Sequence, residues 1–166
     1  MKKLIVLGSL SLFLMNCKKK PDPVIPTVEP DSTAVAETVI DTLGAKSFCY
    51  MSATGNDTVF ASIDDNLGTI TGKLFYKNHE KDSSKGDVTG FKSGDTLKLT
   101  YEFESEGTKS KRDIFFIQKD NTLIEGLGEQ KDDNGQMKYI DENKISYKGG
   151  NTLKSADCNV VTKALK

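Results

Sequence analysis

From Lys46 onward the chain is a succession of short runs in which apolar and polar residues alternate. Turn-forming residues break these runs roughly every 8 to 15 positions. Leu97, Leu99, Tyr101 and Phe103 alternate with Lys98, Thr100, Glu102 and Glu104. Successive side chains of a strand point to opposite faces, so this pattern is that of a strand with one buried side. Val59/Ala61/Ile63 and Ile70/Gly72/Leu74/Tyr76 repeat it, and Asp113–Ile117 is apolar on both faces at its centre. Cys49/Met51, Leu123/Leu127, Met137/Tyr139 and Ile145/Tyr147 complete the series. Between them lie Gly55-Asn56, Asp65-Asn66, Gly94-Asp95, Glu106-Gly107, Asp120-Asn121 and Asn134-Gly135, all turn signals. Spacing this short leaves no room for crossover helices, so the sheet is antiparallel. The expected fold is all-β: an up-and-down meander of about eight strands closed into a small barrel, with a β-sandwich as the alternative. Glycines at 72, 90, 126 and 128 fall inside strand-like runs, where they permit sharp coiling or mark bulges. Gly68-Thr-Ile-Thr-Gly72 echoes Gly86-Asp-Val-Thr-Gly90, but the period is irregular and excludes a solenoid.

The N-terminus has a different texture. Lys2 and Lys3 precede an uncharged apolar stretch from Leu4 to Met15. As a helix it would reach roughly 18 Å, short of the ~30 Å hydrocarbon core. A secretory signal over residues 1–16 explains it better than a membrane span. Leu14 and Cys17 stand where a bacterial lipobox places its leucine and its lipid-carrying cysteine, and the stretch resembles one. Asn16 and Met15 depart from the usual small residues of such boxes. The resemblance implies cleavage before Cys17, with a diacylglycerol thioether and an N-acyl chain on Cys17. Several chains anchor stably, since each buried methylene contributes about 0.8 kcal/mol. Lys18 follows where an aspartate would favour the inner membrane, so the expected address is the outer membrane.

All four prolines lie between residues 21 and 30. Residues 17–45 therefore read as a lipidated cysteine followed by an extended tether. Within it, Val35, Val39 and Leu43 at four-residue spacing allow a short helix over 32–43, with continued tether as the competing reading. Residues 46–166 form the β-domain. Two cysteines then remain, Cys49 in the first predicted strand and Cys158 in the last. In an oxidising compartment they are expected to form a disulfide, which makes the first and last strands neighbours or nearly so.

Chemistry finds few footholds. The one histidine, His79, sits in the polar segment Asn78–Asp82 and reads as a surface residue. No G-x-S-x-G, P-loop, HExxH or EF-hand pattern is present, and no carboxylate pair stands out by spacing. Asp132-Asp133-Asn134-Gly135 lacks the alternate-position ligands of a calcium loop and reads as a turn. The expectation is a non-enzymatic domain with no cofactor and no metal. The domain from residue 46 carries 18 basic and 19 acidic residues, a balance that argues against nucleic acid. One segment stands out: Tyr101–Ile117, a hairpin whose tip, Ser105, Glu106 and Lys109, leads into Arg112. Arg112 is the only arginine in the chain. Its planar five-donor fork suits carboxylates, and a salt bridge to Glu102 or Glu104 is the simplest expectation. Ser105, Glu106, Lys109 and Arg112 form the candidate binding loop.

The segments Asp57-Thr-Val, Gly72-Lys-Leu-Phe-Tyr76, Gly94-Asp-Thr-Leu97, Tyr101-x-Phe103-x-Ser105-Glu-Gly107, Ser110-x-Arg112 and Glu125-Gly-x-Gly128 resemble a family of small Gram-negative lipoproteins of unassigned function. More distantly, the layout is similar to the membrane-bound inhibitors of c-type lysozyme and, equally distantly, to the lipocalin-like barrels of envelope stress lipoproteins. Ser105-Glu-Gly107 and Lys109 are a loose counterpart of the inhibitors' cleft-entering loop, while the tryptophan typical of those inhibitors is absent. The expected function is a lipid-anchored envelope lipoprotein that contacts the membrane through Cys17 and binds an envelope protein or small ligand. Lysozyme inhibition through the 105–110 tip is the alternative.

Overall fold

The computed structural model describes residues 44–166. The signal stretch, Cys17, the tether and the 32–43 helix lie outside the described residues. Ten strands occur: β1 (Lys46–Thr54), β2 (Asp57–Asn66), β3 (Thr69–Lys77), β4 (Ser84–Ser93), β5 (Thr96–Ser105), β6 (Thr108–Lys119), β7 (Thr122–Glu125), β8 (Gln130–Asp133), β9 (Gln136–Tyr139) and β10 (Thr152–Ser155). Strands β1 to β7 follow one another as antiparallel neighbours, β5–β6 included, and β10 lies between β7 and β1. These eight close on themselves, so the fold is a barrel and not a sandwich. Closure removes the open sheet edges that would otherwise invite aggregation.

The turns explain the register. The β2–β3, β5–β6, β6–β7 and β8–β9 loops have two residues each, and both residues of each loop have positive φ. Such turns match the right-handed twist of paired strands. Strand β4 coils tightly because two of its glycines sit against β5. A Cβ on Gly86 would stand 1.9 Å from the Glu102 carbonyl oxygen, and one on Gly90 2.1 Å from that of Lys98. No side chain fits there.

The barrel interior is filled. Tyr50, Val59, Ala61, Ile63, Ile70, Leu74, Val88, Leu97, Leu99, Tyr101, Ile114, Phe116, Leu123 and Leu153 are buried in a single cluster. A second cluster lies outside the barrel wall, where Val161 and Leu165 pack with Cys49, Phe60 and Phe75. Cys158 does not lie in a strand, as the sequence pattern suggested, but opens the short helix α1 (Cys158–Ala164). Asp157 caps α1 by accepting from the Asn159 N–H at 2.8 Å. Seven residues are too few for a stable isolated helix. Its hold on the barrel comes from Val161, Leu165 and the expected disulfide, Cys49–Cys158, with Cα atoms 5.2 Å apart.

The run Ile145–Tyr147 is also not a strand. It follows a 3₁₀ turn (Glu142–Lys144) and pairs only at an isolated Ser146–Leu127 bridge. Gly126 and Gly128, beyond the end of β7, leave room for Ile145, Tyr147 and Tyr139. The β8–β9 hairpin joins the sheet beside β6, with Arg112 and Met137 paired in parallel, and its Tyr139 meets Phe115 edge-on at 5.0 Å between centroids.

The antiparallel course gives the barrel two distinct ends. The β2–β3, β4–β5 and β6–β7 turns form one, and β1 begins there. The β1–β2, β3–β4 and β5–β6 loops form the other.

Candidate functional site

Register fixes where Arg112 points. It lies opposite Tyr101, as Ile114 lies opposite Leu99 and Phe116 opposite Leu97. Residues paired across an antiparallel ladder share a face, so Arg112 faces the interior with those three pairs. The expected partners, Glu102 and Glu104, face outward on the same strand. Glu102 is taken by Lys111, and Glu104 stands opposite Lys109. Arg112 instead meets three aromatic rings: its Cζ is 5.5 Å from the centroid of Tyr76, 5.8 Å from Tyr101 and 5.9 Å from Phe103. A cation over ring faces is attracted by their quadrupoles, by about 0.5–2 kcal/mol per contact.

Glu125, at the end of β7, is the one charged residue buried in the interior among the described residues, at 6% exposure. It lies opposite Phe116 and so faces inward. Tyr76 Oη donates to its Oε1 at 2.9 Å and Asn151 Nδ2 to its Oε2 at 2.7 Å. Arg112 Nη2 is 4.0 Å from Oε1, too far for a hydrogen bond. Arg112 Nε is buried and has no hydrogen-bond partner. About a third of the arginine side chain (35%) remains open to solvent, so that opening belongs to its other atoms. Burial pushes the Tyr76 phenol well above its ordinary value, reinforced by the neighbouring Glu125 charge. Burial also pushes Tyr101 up to about 12, against the opposing effects of Ser84 and Arg112.

The cluster sits toward the end of the barrel that carries the β5–β6 tip. Ser105 Oγ donates to the Ser83 carbonyl at 2.9 Å, tying the tip to the β3–β4 loop. Glu106 occupies a left-handed turn position (φ 48°), and Lys109 is exposed. Of the four candidate loop residues, then, Ser105 and Glu106 shape the tip, Lys109 lies outside and Arg112 lies within. Glu125, Tyr76 and Asn151 were not among the candidates. The available signal was Leu123-x-Glu125, a charge at an inward position of an alternating run.

The remaining sequence candidates stay apart from this cluster. His79 is exposed, its backbone N–H donating to Asp57 Oδ1 at 2.8 Å. Asp132–Gly135 makes the β8–β9 turn, and among the described residues no group of three or more His, Cys, Asp or Glu is placed to hold a metal. A groove of about 430 Å³ crosses the outside of β4, β5 and β6, with Lys85, Glu104 and Lys109 along one wall and Asp87, Glu102 and Lys111 along the other. Its charges are largely matched: Lys111 pairs with Glu102, and Asp87 with Lys73 at 2.7 Å. No protein-family model matches the chain, and no curated protein or solved structure matches it.

Proposed function

We propose that this chain is a lipid-anchored envelope lipoprotein whose β-barrel is a non-enzymatic binding domain. In this reading, its working end is the one bearing the 105–110 tip and Arg112. The observation that carries it is a partly open arginine, set among aromatic rings beside a buried glutamate at one end of a filled interior. A packed barrel has no lumen for a small apolar cargo, so the favoured partner is a macromolecule engaging the rim. Strand β1 begins at the opposite end of the barrel, so the chain enters the domain there. Mass spectrometry of the membrane fraction should find acyl mass on Cys17 that Cys17→Ala abolishes, releasing the protein from the membrane. Affinity capture from envelopes should return a partner that a Lys109→Glu/Ser110→Glu chain loses. An unacylated Cys17, or capture indifferent to the tip, would contradict the proposal.

The exposed two-residue tip also fits a second reading, blockade of a lysozyme cleft. Lysis assays with c-, g- and i-type lysozymes decide it. Unchanged lysis by all three removes that reading.

A further inference from the structure

We infer that Arg112 is a receptor for a carboxylate presented by the binding partner, an acidic side chain or a chain terminus. This rests on the reading of its end of the barrel as the binding end. A guanidinium offers five N–H donors in one plane. Here the rings of Tyr76, Tyr101 and Phe103 lie 5.5–5.9 Å from Cζ and hold the guanidinium by cation–π attraction, which consumes none of its N–H donors. Glu125 does not fill that edge: each of its oxygens already accepts from Tyr76 or Asn151, and its approach to Nη2 stops at 4.0 Å. The fork is therefore positioned and partly accessible without a bidentate partner of its own. Nε is buried, so the open part of the side chain lies in its other atoms, and a carboxylate would meet the guanidinium there. Ser110 lies two residues away on the same face of β6, toward the rim, and is exposed. It is the exposed hydroxyl-bearing residue next to Arg112 on that face.

The ligand's charge follows from Glu125. A buried carboxylate next to the fork repels any incoming anion, and repels a dianion about twice as strongly as a monoanion. A planar carboxylate also matches the fork bidentately. Carboxylate is therefore favoured over phosphate.

Because the chain has a single arginine, its Nε–H gives one unambiguous NMR signal. The full chain in detergent micelles is titrated with sodium acetate, with sodium chloride at matched ionic strength and with phosphate. The expected result is a saturable acetate shift at Arg112 and at the Ser110 amide, half-complete at a concentration on the order of millimolar. Chloride should give no such shift and phosphate a weaker one. Arg112→Lys keeps the charge without the fork, and should weaken the Ser110 response about tenfold or more while amide dispersion reports an intact fold. An acetate response equal to that of chloride, a stronger phosphate response, or an unchanged Ser110 response in Arg112→Lys would each overturn the inference. Envelope capture through the tip that persists in Arg112→Lys would overturn it while leaving the proposed function standing. Capture indifferent to the tip would remove that function itself.

Discussion

Replacing Glu125 separates its roles as a hydrogen-bond acceptor and as a charge. In the barrel it accepts from Tyr76 at 2.9 Å and from Asn151 at 2.7 Å, and it is 94% buried by the complement of its 6% exposure. Glu125→Ala removes both acceptors and leaves the buried Tyr76 hydroxyl unpaired, while the exposed Asn151 amide turns to water. Hydrogen bonds to charged groups are worth about 1.5–3 kcal/mol each, so the loss should come to about 3–6 kcal/mol. Glu125→Gln preserves shape. Its carbonyl can accept from the buried Tyr76 hydroxyl while its amide donates to the flipped Asn151 oxygen, so only the charge assistance goes, at about 1–2 kcal/mol. For the roughly 120 residues of the domain, the entropy of unfolding near the midpoint is about 0.25 kcal/mol per kelvin. The expected Tm losses are then about 12–24 °C for alanine and about 4–8 °C for glutamine. Differential scanning calorimetry on the two variants and the parent measures them. Equal losses, or an alanine loss below about 4 °C, would refute the assignment of Glu125 as the acceptor that organises this end of the barrel.

The other expectations follow from separate features. Removing the disulfide with Cys49→Ala/Cys158→Ala opens a cross-link of sequence separation 109, which the chain-entropy model values at about 4.8 kcal/mol. Chemical denaturation should show that loss, and the C-terminal helix amides should become the first to exchange with deuterium. Gly86→Val should prevent folding at ordinary temperature, since its Cβ would lie 1.9 Å from a backbone oxygen; circular dichroism of the purified chain checks this. The raised phenols set the alkaline limit. Tyr101 stays protonated in the fold up to about 12 but ionises near 10 when unfolded, so its contribution is intact below pH 10 and is lost as pH rises toward 12. Denaturant midpoints measured from pH 9 to 12 should fall across that window, and a flat profile would contradict the burial of Tyr101 and Tyr76.

The strands were legible because one side of nearly every run is buried. Leu97, Leu99, Tyr101 and Phe103 announce β5 by alternation alone, and the Gly94-Asp95 and Glu106-Gly107 turns fix its neighbours. Arg112 was misplaced for a physical reason. In Asp113–Ile117 the outward Phe115 is covered by Tyr139 of the β8–β9 hairpin, so both faces of β6 look apolar and the parity of Arg112 is obscured. Val160, Val161 and Thr162 favour extended structure, so the sequence around Cys158 has a strand-like composition. Its helix arises from the Asp157 cap and from Val161 and Leu165, which share a face at four-residue spacing and bury against Cys49 and its neighbours. The disulfide itself survived this error, because β10 does adjoin β1 and carries the chain directly to Cys158. Residues 126–151 follow no period because an add-on hairpin, a 3₁₀ turn and an isolated bridge each satisfy local packing outside the barrel.

The proposed working end is tested most directly by photo-crosslinking in living cells from one residue at each end of the barrel. A photoreactive side chain at exposed Lys109, beside the β5–β6 tip, should yield a discrete adduct with an envelope component. The same group at exposed Lys119, where β6 reaches the other end, should not. Adduct formation from Lys119 alone, or equally from both positions, would contradict the account.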